Sequence, residues 1–287
     1  MKKRILILGS SGMIGSYLSS YLKNKKYTVL NFDIVNTKRQ DLRIHNNKEL
    51  INKIRKCDFI YFLAFDVGGS TYLKKYQNTS DFINNNLKIM LNTFDAIKKF
   101  KKKFIFASSQ MSNMDFSSYG HLKAIGEKYT SILGGITVKF WNVYGYEYNE
   151  EKMHVVNDFI RKGFKYSEIR TLTDGNESRD FLFGEDCSKA LEIVMKKFHL
   201  LKKHQSIDIA YNKFFKIRLV AKIIQELFLE NGKKIKITYS KNKDIIQKYK
   251  KNYPNKIINK YWNPNINLES GISKIFNSYI KNRIVID

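Results

Sequence analysis

The chain has 287 residues, 43% of them hydrophobic, and 52 Lys and Arg stand against 26 Asp and Glu, a formal charge of +26. That apolar content excludes a disordered chain, and no apolar run reaches the roughly 18–20 residues needed to cross a bilayer. The lysines are dispersed through runs such as "KKFKKK" and "KKFHLLKK". They do not form one basic stripe interleaved with aromatics, so no nucleic-acid partner is expected, although the field would still attract an anionic substrate.

The start, "MKKRILILG", sets basic residues before an apolar stretch, as a signal peptide does. The apolar part is short and β-branched and lacks a small-residue cleavage site, so it reads as a first strand of a cytoplasmic protein. "MIGSYLSSYLKNK" then reads as a helix, "YTVLNFD" as a strand, "KELINKIRK" as a helix and "CDFIYFLAF" as a strand. "DFINNNLKIMLNTFDAIKKF" is a long helix, followed by the strand "KKFIFASS", the helix "SSYGHLKAIGEKYTSIL" and the strand "GITVKFWNVYG". This alternation is that of an α/β protein with a Rossmann-like, doubly wound parallel sheet. Past about residue 145 the rhythm loosens. "HVVNDFIRKGF", "GEDCSKALEIVMKKF" and "KIRLVAKIIQELFLE" are helical and "SIDIAY" is a strand. Cys57 and Cys187 lie far apart without metal-ligand spacing. They read as buried thiols in a reducing compartment, and no metal is expected.

Gly9, Gly12 and Gly15 fall between the first strand and the first helix. There glycine permits a tight turn, close approach of a pyrophosphate and packing of helix on strand. The N–H groups at the helix start, around Met13 and Ile14, would receive the negative charge. Asp33 ends the second strand 18 positions after the last glycine. It either accepts both ribose hydroxyls of a dinucleotide or closes a turn; in the first role it repels a 2′-phosphate and selects NAD. Residues 1–145 are therefore expected to form an NAD-binding Rossmann domain, re-entered by about 180–212. Residues 146–287 would mainly form a smaller, mixed α/β substrate domain.

The glycine spacing GxxGxxG resembles that of the extended short-chain dehydrogenase/reductase family, the NAD-dependent epimerases and dehydratases of nucleotide sugars. Further stretches are similar in order across roughly residues 4–280. In "QDLR", Asp41 and Leu42 resemble the pair that meets the adenine. In "DFIYFLAF", Leu63 and Ala64 resemble the strand end beneath the cofactor. "IFASS" and "YGHLK" resemble the Ser…YxxxK catalytic set, here Ser109, Tyr119 and Lys123. "WNVYG", "DGNESRDFLFGEDCSKAL" and "YWNPNINLESGISKIFNSYIK" resemble the substrate-side segments and the closing helix.

Tyr119 and Lys123 are four apart on one helix face. A phenol has an unperturbed pKa of about 10, so the ammonium beside it and the oxidised nicotinamide are expected to favour the phenolate. On the resemblance, Tyr119 takes the proton of a sugar hydroxyl while hydride leaves the same carbon, Lys123 also holds the nicotinamide ribose, and Ser109 aligns the reacting oxygen. Only ten positions separate Ser109 from Tyr119, which implies a short lid.

The family's 4,6-dehydratases carry an Asp-Glu pair where this chain has Gln110 and Met111, so dehydration is not expected. Val67-Gly68-Gly69 and "MHVVNDFI" are similar to GDP-fucose synthases and GDP-mannose epimerases, with His154 at their acid/base histidine and Met111 at their partner cysteine. His154 either moves a proton or contacts sugar or phosphate. The resemblance implies substrate contacts at Val67, Gly68, Gln110, Asn142, His154 and Arg179, with Arg179 pairing either with the diphosphate or with Asp180. The expected reaction is oxidation of a GDP-linked hexose or heptose at C4 to a 4-keto sugar. The alternatives are a 4-epimerase, a GDP-4-keto-sugar reductase or epimerase, and a non-catalytic NAD sensor. The two long helices "DFINNNLKIMLNTFDAIKK" and "SSYGHLKAIGEKY" resemble the family's dimer contact, which implies a homodimer.

Overall fold

"RILIL" is apolar at four consecutive positions, all four wholly buried, which suits a strand covered on both faces. In the computed structural model, which describes residues 2–245 and 253–281, that strand is β1 (Arg4–Leu8). It is followed by α1 (Met13–Asn24), β2 (Thr28–Phe32), α2 (Lys48–Lys56), β3 (Phe59–Phe62), α3 (Ser70–Tyr76) and α4 (Ser80–Phe100). Next come β4 (Phe104–Ser109), α5 (Ser118–Ile132), β5 (Ile136–Phe140), β6 (Asn142–Tyr144), α6 (Val155–Tyr166) and β7 (Glu168–Arg170). The chain continues as β8 (Ser178–Phe183), α7 (Gly184–Lys196), α8 (Phe198–Leu201), β9 (Ile207–Ile209) and β10 (Phe214–Lys216). It closes with α9 (Ile217–Glu230), β11 (Lys236–Thr238) and α10 (Leu268–Lys281). Among the described residues, no helix is long and apolar enough to cross a membrane.

The main sheet is six-stranded in the order β2-β1-β3-β4-β5-β9, and every pairing is parallel. Successive side chains of a strand point to opposite faces. Ile5 and Ile7 accordingly pack with Leu18 and Leu22 of α1 and with Ala190, Leu191 and Val194 of α7. Leu6 and Leu8 pack with Leu50 and Ile54 of α2, Met90 and Phe94 of α4 and Leu122 of α5. Helices on both faces make the sheet doubly wound. The strand order reverses beside β1, and in such sheets the crevice at the carboxyl ends of the reversing strands receives the ligand.

The apolar run "GITVKFWNVYG" is not one strand. It breaks at Trp141: β5 stays in the main sheet, while β6 pairs in parallel with β8 in a separate three-stranded sheet, β10-β8-β6. A two-stranded parallel pair, β11-β7, lies beyond it. A third core, containing Phe159, Phe181, Phe183, Ile224, Phe228 and Phe276, holds α6, α9 and α10 over these strands. From β8 the chain runs straight into α7, under the main sheet, and then supplies the edge strand β9.

Candidate active site

At the end of β1, Gly9 has φ +85°, and an added Cβ would stand 2.7 Å from the Ala64 nitrogen. Only glycine fits there. A Cβ on Gly15 would stand 2.0 Å from the Gly9 oxygen, so α1 can lie against the loop only without a side chain at that point. Gly12 differs, because its nearest obstacle is the Gly9 oxygen at 3.5 Å. It is also the N-cap of α1 and provides no side-chain acceptor. The Met13 and Ile14 N–H groups thus begin a helix whose orphan donors and dipole suit an anion. The open space over Gly12 and this donor set fit the pyrophosphate of a dinucleotide.

Asp33 follows β2 directly. Its Oδ2 accepts the Ser11 N–H at 2.8 Å, and its Oδ1 accepts the Val35 N–H at 3.0 Å. The carboxylate both closes its own turn and pins the glycine loop, and unused lone pairs remain for ribose hydroxyls. Leu42 is buried against α2 and α4. Asp41 holds the Arg43 guanidinium, with Nη2 to Oδ2 at 2.8 Å. Burial opposes the Asp41 charge, and the bonds from Arg43 outweigh it, holding the carboxyl below its usual value. Leu63 and Ala64 follow β3; the Leu63 N–H donates to the Leu8 oxygen at 2.9 Å.

Ser109 is the last residue of β4. Ser117 caps α5 by accepting the Gly120 N–H at 3.0 Å, which fixes where the helix starts and so where Tyr119 and Lys123 point. The Ser109 Oγ accepts the Met111 N–H at 3.2 Å and shares a hydrogen bond with the Tyr119 hydroxyl. Ser109 thereby keeps its own proton for the phenol oxygen. The Lys123 ammonium lies 5.7 Å from the centroid of the Tyr119 ring. Burial pushes Tyr119 up to about 12, against the pull of Ser109. Lys123, 3% exposed, is pushed down to about 7 by burial, against the pull of Glu127. Its Nζ bonds to the Ala107 oxygen at 2.7 Å and lies 3.5 Å from the centroid of the Phe65 ring.

At the loop expected to meet substrate, the Gly69 N–H donates to the Lys152 oxygen at 3.0 Å, and a Cβ on Gly69 would stand 3.2 Å from the His154 Cα. The Val67-Gly68-Gly69 loop and His154 are thus one surface. His154 is half-exposed, and its Nδ1 lies 2.6 Å from Glu147 Oε1. Burial works against a charged imidazole, and the Glu147 carboxylate more than offsets it, so His154 titrates above its ordinary value. Asn142 begins β6, and its Nδ2 is buried without a hydrogen-bond partner, a donor free for a ligand oxygen. Gln110 and Met111 lie in the 3₁₀ turn Gln110–Asn113, where Met111 is buried.

Arg179 does not pair with Asp180. It pairs with Asp244, while Asp180 is wholly buried and accepts the Tyr211 N–H at 2.6 Å. Burial pushes Asp180 up to about 6. Three residues were not legible as site residues. Phe65 lies on Lys123. Glu147 stands behind His154. Asp66 receives the Lys152 ammonium at 2.7 Å and the Tyr72 hydroxyl at 2.7 Å. Asp66 and Phe65 adjoin matched positions, the only signal available; Glu147 has no periodic relation to His154.

A family model described as "NAD dependent epimerase/dehydratase family" matches residues 5–210. GDP-L-colitose synthase of Yersinia pseudotuberculosis is 24% identical, over 94% of this chain and 96% of that protein. A putative UDP-glucose 4-epimerase of Methanocaldococcus jannaschii is 26% identical, over 97% of this chain and 98% of that one. Among solved structures, a GDP-6-OMe-4-keto-L-xylo-heptose reductase from C. jejuni superposes with a TM-score of 0.80 at 17% identity, covering 98% of both chains.

Proposed function

This chain belongs to the NAD dependent epimerase/dehydratase family, and on that premise we propose that it oxidises a GDP-linked hexose or heptose at C4 to the 4-keto sugar. NAD, the family's cofactor, accepts the hydride when bound. Tyr119 takes the hydroxyl proton, Ser109 steadies the oxygen as charge develops, and Lys123 holds the nicotinamide ribose. The observation that carries this reading is the hydrogen bond between Ser109 and Tyr119 on the helix that also presents Lys123.

The surroundings narrow the reaction. Gln110 and Met111 carry no proton that titrates near neutrality, so nothing beside Tyr119 assists loss of water. His154 with Glu147 can hold a proton on one side only, which disfavours epimerisation at the carbon beside the ketone. Asn142 and Arg179 suit sugar and diphosphate oxygens. GDP is favoured by the Val67-Gly68-Gly69 loop packed on His154 and by the name of the Yersinia relative. Reduction of a GDP-4-keto sugar is the second reading. In that direction Tyr119, a protonated phenol at neutral pH like any unperturbed tyrosine, would donate its proton to the reduced oxygen.

Incubation with NAD or NADH and a panel of GDP-, UDP- and dTDP-sugars and their 4-keto forms, read by mass, tests both. Loss of two hydrogens supports oxidation and gain of two supports reduction; loss of water overturns both. We further propose a homodimer formed through α4 and α5, whose outer faces expose Leu91, Ile125 and Ile132; light scattering at the monomer mass would refute it. The buried free thiols Cys57 and Cys187 support a cytoplasmic setting.

A further inference from the structure

The segment Leu63–Asp66 is held from both sides. The Leu63 N–H is bound to Leu8, and the Ala64 backbone is pressed against Gly9. The Asp66 N–H donates to Asn86 Oδ1 at 2.7 Å, and Asn86 Nδ2 donates back to the Asp66 oxygen at 3.1 Å, with Asn86 wholly buried. Between these clamps Phe65 lays its ring face on the Lys123 ammonium, 3.5 Å from centroid to Nζ, and stands edge-on to Tyr119 with centroids 5.8 Å apart. A cation over a ring face is attracted by the ring quadrupole. At 3.5 Å no ribose hydroxyl fits between them.

We propose that Phe65 occupies the seat of the nicotinamide end of NAD, so that the ring must leave Lys123 before the cofactor is fully bound. This rests on the reading that Tyr119 and Lys123 face the nicotinamide. Because the backbone on either side is bonded in place, the required movement is rotation of the Phe65 side chain. The cost falls on one half of the dinucleotide only. The adenosine diphosphate half would meet Gly12, Met13, Ile14 and Asp33, whereas the ring of Phe65 lies against Lys123 and Tyr119. Apparent affinity for NAD is lowered by the fraction of molecules with the ring turned away, whereas affinity for ADP is not.

The test is calorimetric titration of the full chain with NAD and with ADP, comparing it with Phe65→Ala. NAD binding is expected to tighten about tenfold in the variant, with ADP binding unchanged. Equal NAD affinity in the two proteins, or an ADP shift by the same factor, overturns the proposal. If neither nucleotide binds either protein, the cofactor reading itself falls; NAD binding without a gain from the substitution removes the Phe65 proposal alone. Phe65→Leu preserves bulk in the core and is expected to give a smaller gain in NAD affinity; no gain counts against the proposal. A second readout needs no cofactor. Acetic anhydride should label Lys123 faster in both variants than in the unmodified protein, and an unchanged rate shows that the ring does not cover the amine.

Discussion

The carbonyl oxygen of Gly9 lies 2.0 Å from the point a Cβ on Gly15 would occupy, while the Cβ position of Gly12 is 3.5 Å from the same atom. One oxygen thus separates a packing glycine from a binding glycine. Gly15→Ala should drive α1 off the loop and lower the melting temperature steeply, as overpacked sites do. Gly12→Ala should melt close to the unmodified protein yet bind NAD at least about tenfold more weakly, since its methyl group enters the space kept for phosphate. Similar melting and similar affinity in the two variants would contradict this division.

Tyr119→Phe retains the ring against Phe65 and loses only the hydroxyl bonded to Ser109. Turnover should fall about 10²–10⁴-fold, the usual contribution of a positioned proton donor or acceptor. NAD affinity measured by titration should change little. Residual turnover within a few fold of normal would remove Tyr119 as the proton carrier.

Burial lowers Lys123 from 10.5 to about 7. Between those values the unfolded chain binds a proton that the folded chain does not, so this group makes stability rise as pH climbs from about 7 towards 10. Below about 7 the full penalty of burying the charge is present, several kcal/mol. Lys123→Met should therefore raise the melting temperature of the cofactor-free protein most near pH 6 and progressively less towards pH 9. A gain independent of pH would mean that the amine titrates alike in the folded and unfolded chains, its charge not opposed by burial.

Asp33 accepts two backbone N–H groups, one of them from the glycine loop. The protein should bind NAD more tightly than NADP, by at least about tenfold, because the carboxylate repels a 2′-phosphate. Asp33→Ser should weaken NAD binding and narrow that difference. Preference for NADP in the unmodified protein would place Asp33 in the turn role alone.

His154 is raised by the Glu147 carboxylate 2.6 Å from its Nδ1, which outweighs desolvation of the half-exposed ring. A raised folded-state value stabilises below the unfolded pKa of about 6.5, and the contribution is lost as pH rises through the folded value. Glu147→Gln keeps an acceptor for the His154 N–H but removes the charge. The imidazole titration, followed by NMR, should then move down. The stability difference between the two proteins should be larger at pH 6 than at pH 8.

The Rossmann half could be read from the chain because its signals are local. Apolar runs such as "RILIL" and "FIFASS" are buried on both faces, and α1 and α4 show helical spacing between them. Legibility ended where a strand changed partners. Nothing in the alternation around Trp141 marks the passage from β5 to β6, because both sides of the break are equally apolar. The three-residue strands β7, β10 and β11 are too short to show a period, and β8 was visible only as a motif. At the site, Ser109, Tyr119 and Lys123 could be read as a motif, whereas the position of Phe65 on Lys123 depends on how the Leu63–Asp66 backbone is anchored. Asp244 as the partner of Arg179 lies 65 positions away along the chain, beyond any spacing rule.

The return of α7 and β9 to the first half makes the chain impossible to cut into working pieces. A fragment ending near residue 145 would leave the β5 edge unpaired and the apolar stripe of α1 bare, two surfaces that invite aggregation. Strand β4 and helix α5 would be covalently intact but seated on a sheet missing its outer support. Loss of the carboxyl-terminal half should therefore destroy solubility before it destroys specificity.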